Sequence, residues 1–263
     1  MKIFRRPALP GIDTEAALAE ARRLVARRIE QPARRAFLQR TLTLGGLSML
    51  TGCSISDNAS VEAALGRISK FNDKVQGWIF DPNQLAPTYP ESMITRPFPF
   101  NAYYGEDEIR QVDEATWRLE VTGLVADKRR WTLAELRAMQ QTDQVTRHIC
   151  VEGWSAIGKW GGVRFSDFLA RVGADTSAKY IGFQCADDYF TSIDMPTALH
   201  PQTLLALSWD GAPLPPKYGF PMKLRMPTKL GYKNPKHIQA IFVTNAFPGG
   251  YWEDQGYNWF GGS

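Results

Sequence analysis

From residue 117 to residue 245 the chain alternates short strand-like runs with shorter helical ones, and this pattern limits the possible folds more than any other feature. WRLEVTGLV (117–125) switches between apolar and polar side chains, the two-residue period of a half-buried strand. WTLAELRAM (131–139) carries Thr132 with Glu135 three residues on, a capping box that opens a short helix. QVTRHICV (144–151) has strand character and puts Cys150 near a strand end, at the lip of a loop. RFSDFLARVG (164–173) reads as a helix closed by Gly173. KYIGFQCA (179–186) reads as a strand ending at Cys185. Asp210-Gly211 between apolar runs is a hairpin signal, and MKLRMP (222–227) and HIQAIFVTN (237–245) are two more strands. The pattern predicts one α+β domain over residues 54–263, with mixed sheets and short helices. Residues 54 to about 115 read as a mixed entry segment. Within them APTYPESMITRPFPFNAYYG (86–105) has too many large apolar groups for a linker and reads as an extended arm lying on the domain.

Cysteine does not staple this fold. Cys53, Cys150 and Cys185 are the three cysteines; they form neither a disulfide framework nor a zinc-type CxxC pair. A hydrophobic core must hold the domain, and a chain of 263 residues that is 44% hydrophobic and 22% charged can supply one. The net charge of +4 argues neither for nor against a nucleic-acid partner, so none is expected, and much of the positive charge sits in the first forty residues.

Residues 1–53 read as an N-terminal extension and export signal. DTEAALAEARRLVARRIE (13–30) places apolar residues at helical spacing with arginines on the other face. Arg34 and Arg35 then precede an apolar run of about ten residues, too short to cross a bilayer and weakened by Gly45 and Gly46. A basic pair, a short apolar run and small residues make a signal-peptide pattern, which resembles a twin-arginine export signal. The run ends Leu50-Thr51-Gly52-Cys53, which resembles a bacterial lipoprotein box with Cys53 as the lipidated residue. The expected location is periplasmic; an amphipathic helix followed by a loop is the alternative the same residues allow.

Taken alone, Cys150 in RHICVEGWS (147–155) is best explained as a small buried hydrophobe. Its surroundings reverse that. CVEGWSAIGKWGGVRFSDFL, KYIGFQCADDYFTSIDM, DGAPLPPKYGFPMKLRMP and KLGYKNPKHI, in this order and spacing, resemble the sulfite-oxidase-type molybdopterin domain over roughly residues 95–245. The nearest branch includes the catalytic subunit of bacterial periplasmic methionine-sulfoxide reductases. The resemblance implies a sulfite-oxidase-like fold and a molybdenum-molybdopterin cofactor. It makes Cys150 the cysteinate ligand and catalytic centre, and a soft thiolate suits a metal already bound by sulfur. Arg147 and His148 are expected to favour the thiolate.

Other positions follow from the same resemblance. Asn101, Tyr103 and Tyr104 stand where the family contacts the pterin. Cys185 replaces a threonine beside the cofactor, Tyr218 a polar residue, and Lys223 a phosphate-binding arginine, whose bidentate fork a lysine lacks. Arg225, two residues on, is expected to share that duty. Backbone amides around Asn234 and Pro235 and the ammonium of Lys236 are expected to cradle the phosphate, with Lys229 and Lys233 adding positive potential. His200 and His237 sit in no ligand spacing and read as surface or packing residues. Glu152 and Asp187-Asp188 read either as proton-handling groups or as loop fasteners. The Trp- and Tyr-rich WSAIGKWGG and GGYWEDQGYNWFGGS read as walls of a funnel, as core packing, or as a lid.

In this family the cofactor carries out a two-electron oxygen-atom transfer and the protein supplies position and electrostatics. The resemblance implies reduction of a sulfoxide or related S- or N-oxide with electrons from a membrane b-type cytochrome, since the chain has no haem-attachment CxxCH. Oxidation of sulfite and a cofactor-free lipoprotein binding module are the alternatives. A monomer is expected, because no Ig-like dimerisation domain follows the last cofactor motif.

Overall fold

Strands form at each stretch where the sequence predicts one, and two more, over 155–164 and 190–194, form where it predicts none. β1 (Glu120–Gly123), β4 (Tyr180–Cys185), β5 (Phe190–Asp194) and β9 (Ile238–Thr244) form a sheet in the order β1-β9-β4-β5. β1 runs parallel to β9 while the other pairs are antiparallel, so the sheet is mixed. β2 (Gln141–Ile149), β3 (Ser155–Arg164), β6 (Leu204–Trp209) and β7 (Ala212–Pro213) form the second sheet in that order, and β8 (Lys223–Arg225) pairs with β6. The computed structural model describes residues 59–263; the expected export segment 1–53, including Cys53, lies outside the described residues. Leu65–Ser263 form one compact unit.

Among the described residues the helices are short, with one exception. α1 (Ala59–Ile79) lies in the mixed entry segment, where the sequence predicts no helix. α2 (Leu133–Ala138) opens on the expected box: the Glu135 amide donates to Thr132 Oγ1 at 3.2 Å and the Thr132 amide to Glu135 Oε2 at 2.8 Å. α3 (Phe165–Arg171) is followed by Gly173 at φ +61°, and α4 (Met195–Leu199) is capped by Asp194. Asp210 (φ 50°) and Gly211 (φ 80°) both take left-handed conformations between β6 and β7, the geometry of a type I′ hairpin turn.

The two sheets share one core. It takes Val121, Ile181, Phe183 and Ile241 from the first sheet, Val163, Leu205 and Leu224 from the second, and Leu136, Phe168 and Leu169 from α2 and α3. Each such side chain contributes roughly 1.5–3 kcal/mol on burial. Alternate residues of β6 point the other way, and Ala206 joins Phe98, Ala156, Trp160, Leu214 and Tyr218 in a smaller cluster. β3 meets β6 across a register shift at Gly161/Gly162, where a Cβ on Gly162 would lie 2.0 Å from the Leu205 carbonyl oxygen. The predicted arm lies along the β2–β3 hairpin: the Tyr89 amide donates to Val145 O at 3.0 Å and the Thr95 amide to Ile157 O at 2.9 Å. That course delivers Asn101 to the end of β2.

Candidate active site

Cys150 is the first residue past β2 and opens the turn into β3. The turn is tight: the Cys150 amide donates to Trp154 O at 2.9 Å, the Gly153 amide to Cys150 O at 3.2 Å, and Gly153 sits at φ +93°. The thiol is therefore fixed at the end of a rigid hairpin, on the floor of a cavity of about 120 Å³. Asn101 Nδ2 approaches Sγ at 3.2 Å, and Glu152 Oε2 lies 3.6 Å away while accepting from Trp154 Nε1 at 2.8 Å. Burial first, then the Glu152 carboxylate, pushes the thiol pKa up, so a metal must displace its proton.

Around this floor stand Tyr103, Tyr104, Tyr189, Tyr232, Trp252 and Tyr257, with Asn234, Pro235 and Lys236 at one side. Tyr103 donates to Asp187 O at 2.5 Å and Tyr104 to Asp187 Oδ2 at 2.9 Å, so Asp187 fastens the arm to the β4–β5 turn. Tyr251 stacks on Tyr103 with ring centroids 4.9 Å apart. The C-terminal aromatic segment is thus a wall of the cavity. Burial, then Asp187, pushes the Tyr103 hydroxyl up to about 12, so it stays protonated at physiological pH.

Behind the cavity lies a group of cations with little to neutralise them. Lys223, Arg225, Lys229, Lys233 and Lys236 are all buried. Among the ion pairs of the described residues only Lys233 of these five takes part, with Glu253. Lys229 is capped by Phe260 O at 2.9 Å. Arg225 reaches Thr146 Oγ1, Arg147 O and Asn234 Oδ1, yet its Nε has no partner. Lys236 bonds Lys217 O at 3.2 Å, and Lys223 lies 5.1 Å from the Trp160 ring centre. His148 is buried with neither ring nitrogen bonded, and burial together with Lys223, Arg225 and Lys236 holds it neutral, well below its usual pKa. Burial and the other two cations push Lys223 the same way. Buried donors without acceptors are costly. An anion rich in acceptor oxygens satisfies them, and the phosphate of a molybdopterin is one, on a group whose metal takes a thiolate. The residues fit the group at both ends.

Several expected residues stand elsewhere. Arg147 does not meet Cys150: it occupies the opposite face of β2 from Thr146 and His148, with its guanidinium 5.3 Å from the Tyr89 ring centre. The strand's two-residue period turns it away, and His148, held neutral, does not favour a thiolate either. Cys185 packs in the main core and does not line the cavity. Tyr218 lies in the smaller cluster with its hydroxyl donated to Phe98 O at 3.0 Å. Of the amides expected to cradle a phosphate, that of Asn234 is donated to Gly231 O, and Pro235 has none. His200 and His237 are packing rather than surface residues; Nε2 of His200 pairs with Gln84 O and Nδ1 of His237 with Phe220 O. His237 takes a φ of +53° directly after Lys236, a left-handed conformation that its sequence context does not signal. Glu253, the partner of Lys233, carries no signal either.

The model of the family described as oxidoreductase molybdopterin binding domain matches residues 106–252. A chain of Azospira oryzae with the provisional name protein-methionine-sulfoxide reductase subunit YedZ1 is 74% identical over 258 residues, 98% of each chain. The oxidoreductase YuiH of Bacillus subtilis is 28% identical over 64% of this chain and 85% of its own. The protein-methionine-sulfoxide reductase catalytic subunit MsrP of Xanthomonas campestris is 32% identical over 52% of this chain and 48% of its own. The solved sulfane dehydrogenase SoxCD of Paracoccus pantotrophus superposes with a TM-score of 0.49 at 19% identity, covering 52% of this chain and 40% of that one. With a family match over more than half its length, and a thiol and unpaired cations arranged to suit the same ligand, this chain belongs to the oxidoreductase molybdopterin-binding domain family.

Proposed function

We propose that the protein holds molybdenum-molybdopterin and reduces a sulfoxide or a related S- or N-oxide. The observation that carries this reading is the pairing of a rigidly held thiol at the cavity floor with buried, unneutralised cations behind it. When bound, molybdenum supplies a two-electron couple with exchange of one oxygen atom. Cys150 Sγ serves as the protein ligand to the metal, and Asn101 Nδ2 orients it by donating to the sulfur. Lys223, Arg225 and Lys236 neutralise the anionic tail. Tyr103, Trp252 and Tyr257 exclude water and offer faces to the substituents of a sulfoxide sulfur. The names of the Azospira and Xanthomonas relatives support a protein-bound methionine sulfoxide as substrate.

Electrons come, in this reading, from a membrane b-type cytochrome. The Arg34-Arg35 pair and the Leu50–Cys53 box support export by the twin-arginine route to the periplasm and a lipid anchor at Cys53. The test is molybdenum per chain in protein from a molybdopterin-competent host, for the native chain and Cys150→Ser, with sulfoxide and sulfite turnover beside it. About one molybdenum per chain, sulfoxide turnover with a reduced dye donor, and an altered metal spectrum with loss of turnover in Cys150→Ser are expected. Protein without molybdenum would leave a binding module; sulfite oxidation without sulfoxide reduction would reverse the direction.

A further inference from the structure

α1 is seated the wrong way round for a helix that helps build a core. Its less exposed residues from 65 onward are Ser69, Asp73 and Gln76, continued by Phe80 just past its end. Asp73 Oδ1 accepts from the Phe260 amide at 2.8 Å and Gln76 Oε1 from the Gly262 amide at 3.3 Å. The polar face is thus fastened to the domain. The apolar residues face solvent: Ile68 is 56% exposed, Phe71 65%, Trp78 86% and Ile79 66%, with Leu65 and Val75 alongside. At about 100° per residue these six occupy an arc of about 140°. Arg67, Lys70 and Lys74 border that arc on the Phe71–Trp78 side. Asp73, the single acid between residues 65 and 79, is turned to the domain.

We infer that this face of α1 lies in the headgroup layer of an anionic phospholipid membrane. An apolar stripe with an exposed tryptophan and phenylalanine, edged by cations, has the form of a helix that rests in the interface plane. The flanking lysines and arginine match anionic headgroups in sign. α1 does not cross the bilayer; no helix of the described residues is long and apolar enough for that. Because Asp73 and Gln76 tie the helix to the domain's C-terminal segment, docking fixes how the enzyme faces the membrane. The inference needs neither the lipid on Cys53 nor the cofactor.

The test uses the full chain carrying Cys53→Ser, so that no acyl chain contributes, with vesicles of phosphatidylglycerol and phosphatidylcholine or of phosphatidylcholine alone. Sedimentation with the anionic vesicles is expected, weakened about 30-fold by Lys70→Gln with Lys74→Gln at about a factor of five per charge. Phe71→Ser with Trp78→Ser is expected to weaken it at least as far, with unchanged melting of both variants. A nitroxide at Trp78→Cys is expected to be water-accessible in the free protein and oxygen-accessible on vesicles. Equal binding by native chain and both variants, or none by any, overturns the inference. So does a label shielded from water without vesicles, which would mean that the chain itself or a second copy covers the face.

Discussion

Among single residues, the buried lysines give the sharpest expectation. Burial lowers Lys229 to about 7 and Lys236 to about 8, while a lysine in the unfolded chain ionises near ~10.4. Between pH 7 and pH 8.5 the unfolded chain therefore holds protons that the folded chain has released, and stability rises with pH. In protein made without cofactor the gain is on the order of 2 kcal/mol across that window. Above about pH 8.5 the buried thiols of Cys150 and Cys185, whose pKa values are raised, pull the other way and flatten the curve. A denaturant midpoint constant from pH 7 to 8.5 would contradict this, and Lys236→Gln should remove part of the slope. The sequence made Cys150 and Lys236 legible because both sit in motifs. It misled at Arg147, because a residue three places from a ligand along a strand is near it in sequence but lies on the opposite face.

At the scale of elements, two substitutions separate propensity from packing. Thr132→Ala removes one half of the α2 capping box and should cost about 1 kcal/mol in urea unfolding. Gly162→Ala drives a methyl into the Leu205 carbonyl at the β3–β6 register shift and should cost about 3 kcal/mol, or fail to fold. The capping box and the Asp210-Gly211 turn were readable because local chemistry sets them. α1 was not, because its apolar spacing is interrupted by Gly66 and Gly77 and its polar face does the docking. β3 was missed for a similar reason: its tryptophan and glycines follow the bulge and the cluster beneath them rather than a two-residue period.

For the molecule as a whole, the cavity is assembled from segments near residues 101–104, 150–152, 187–189, 231–236 and 252–257, and their meeting could be foreseen only through the resemblance. The last of these is held by Glu253, which pairs with Lys233 and accepts from Thr191 Oγ1 at 2.8 Å in the interior. Glu253→Gln leaves Lys233 buried without its counter-charge, at about 3–5 kcal/mol. A melting point lower by on the order of 10 °C is expected, with faster loss of molybdopterin as Trp252 and Tyr257 loosen. Retained stability and metal content would show that the wall holds without its anchor. The cations behind the cavity have one more consequence. A ligand that neutralises them and dissociates slowly divides a preparation into two species that melt separately, not one that melts at an average. A calorimetric trace of a partly loaded batch should then show two resolved peaks, their areas giving the loaded fraction directly.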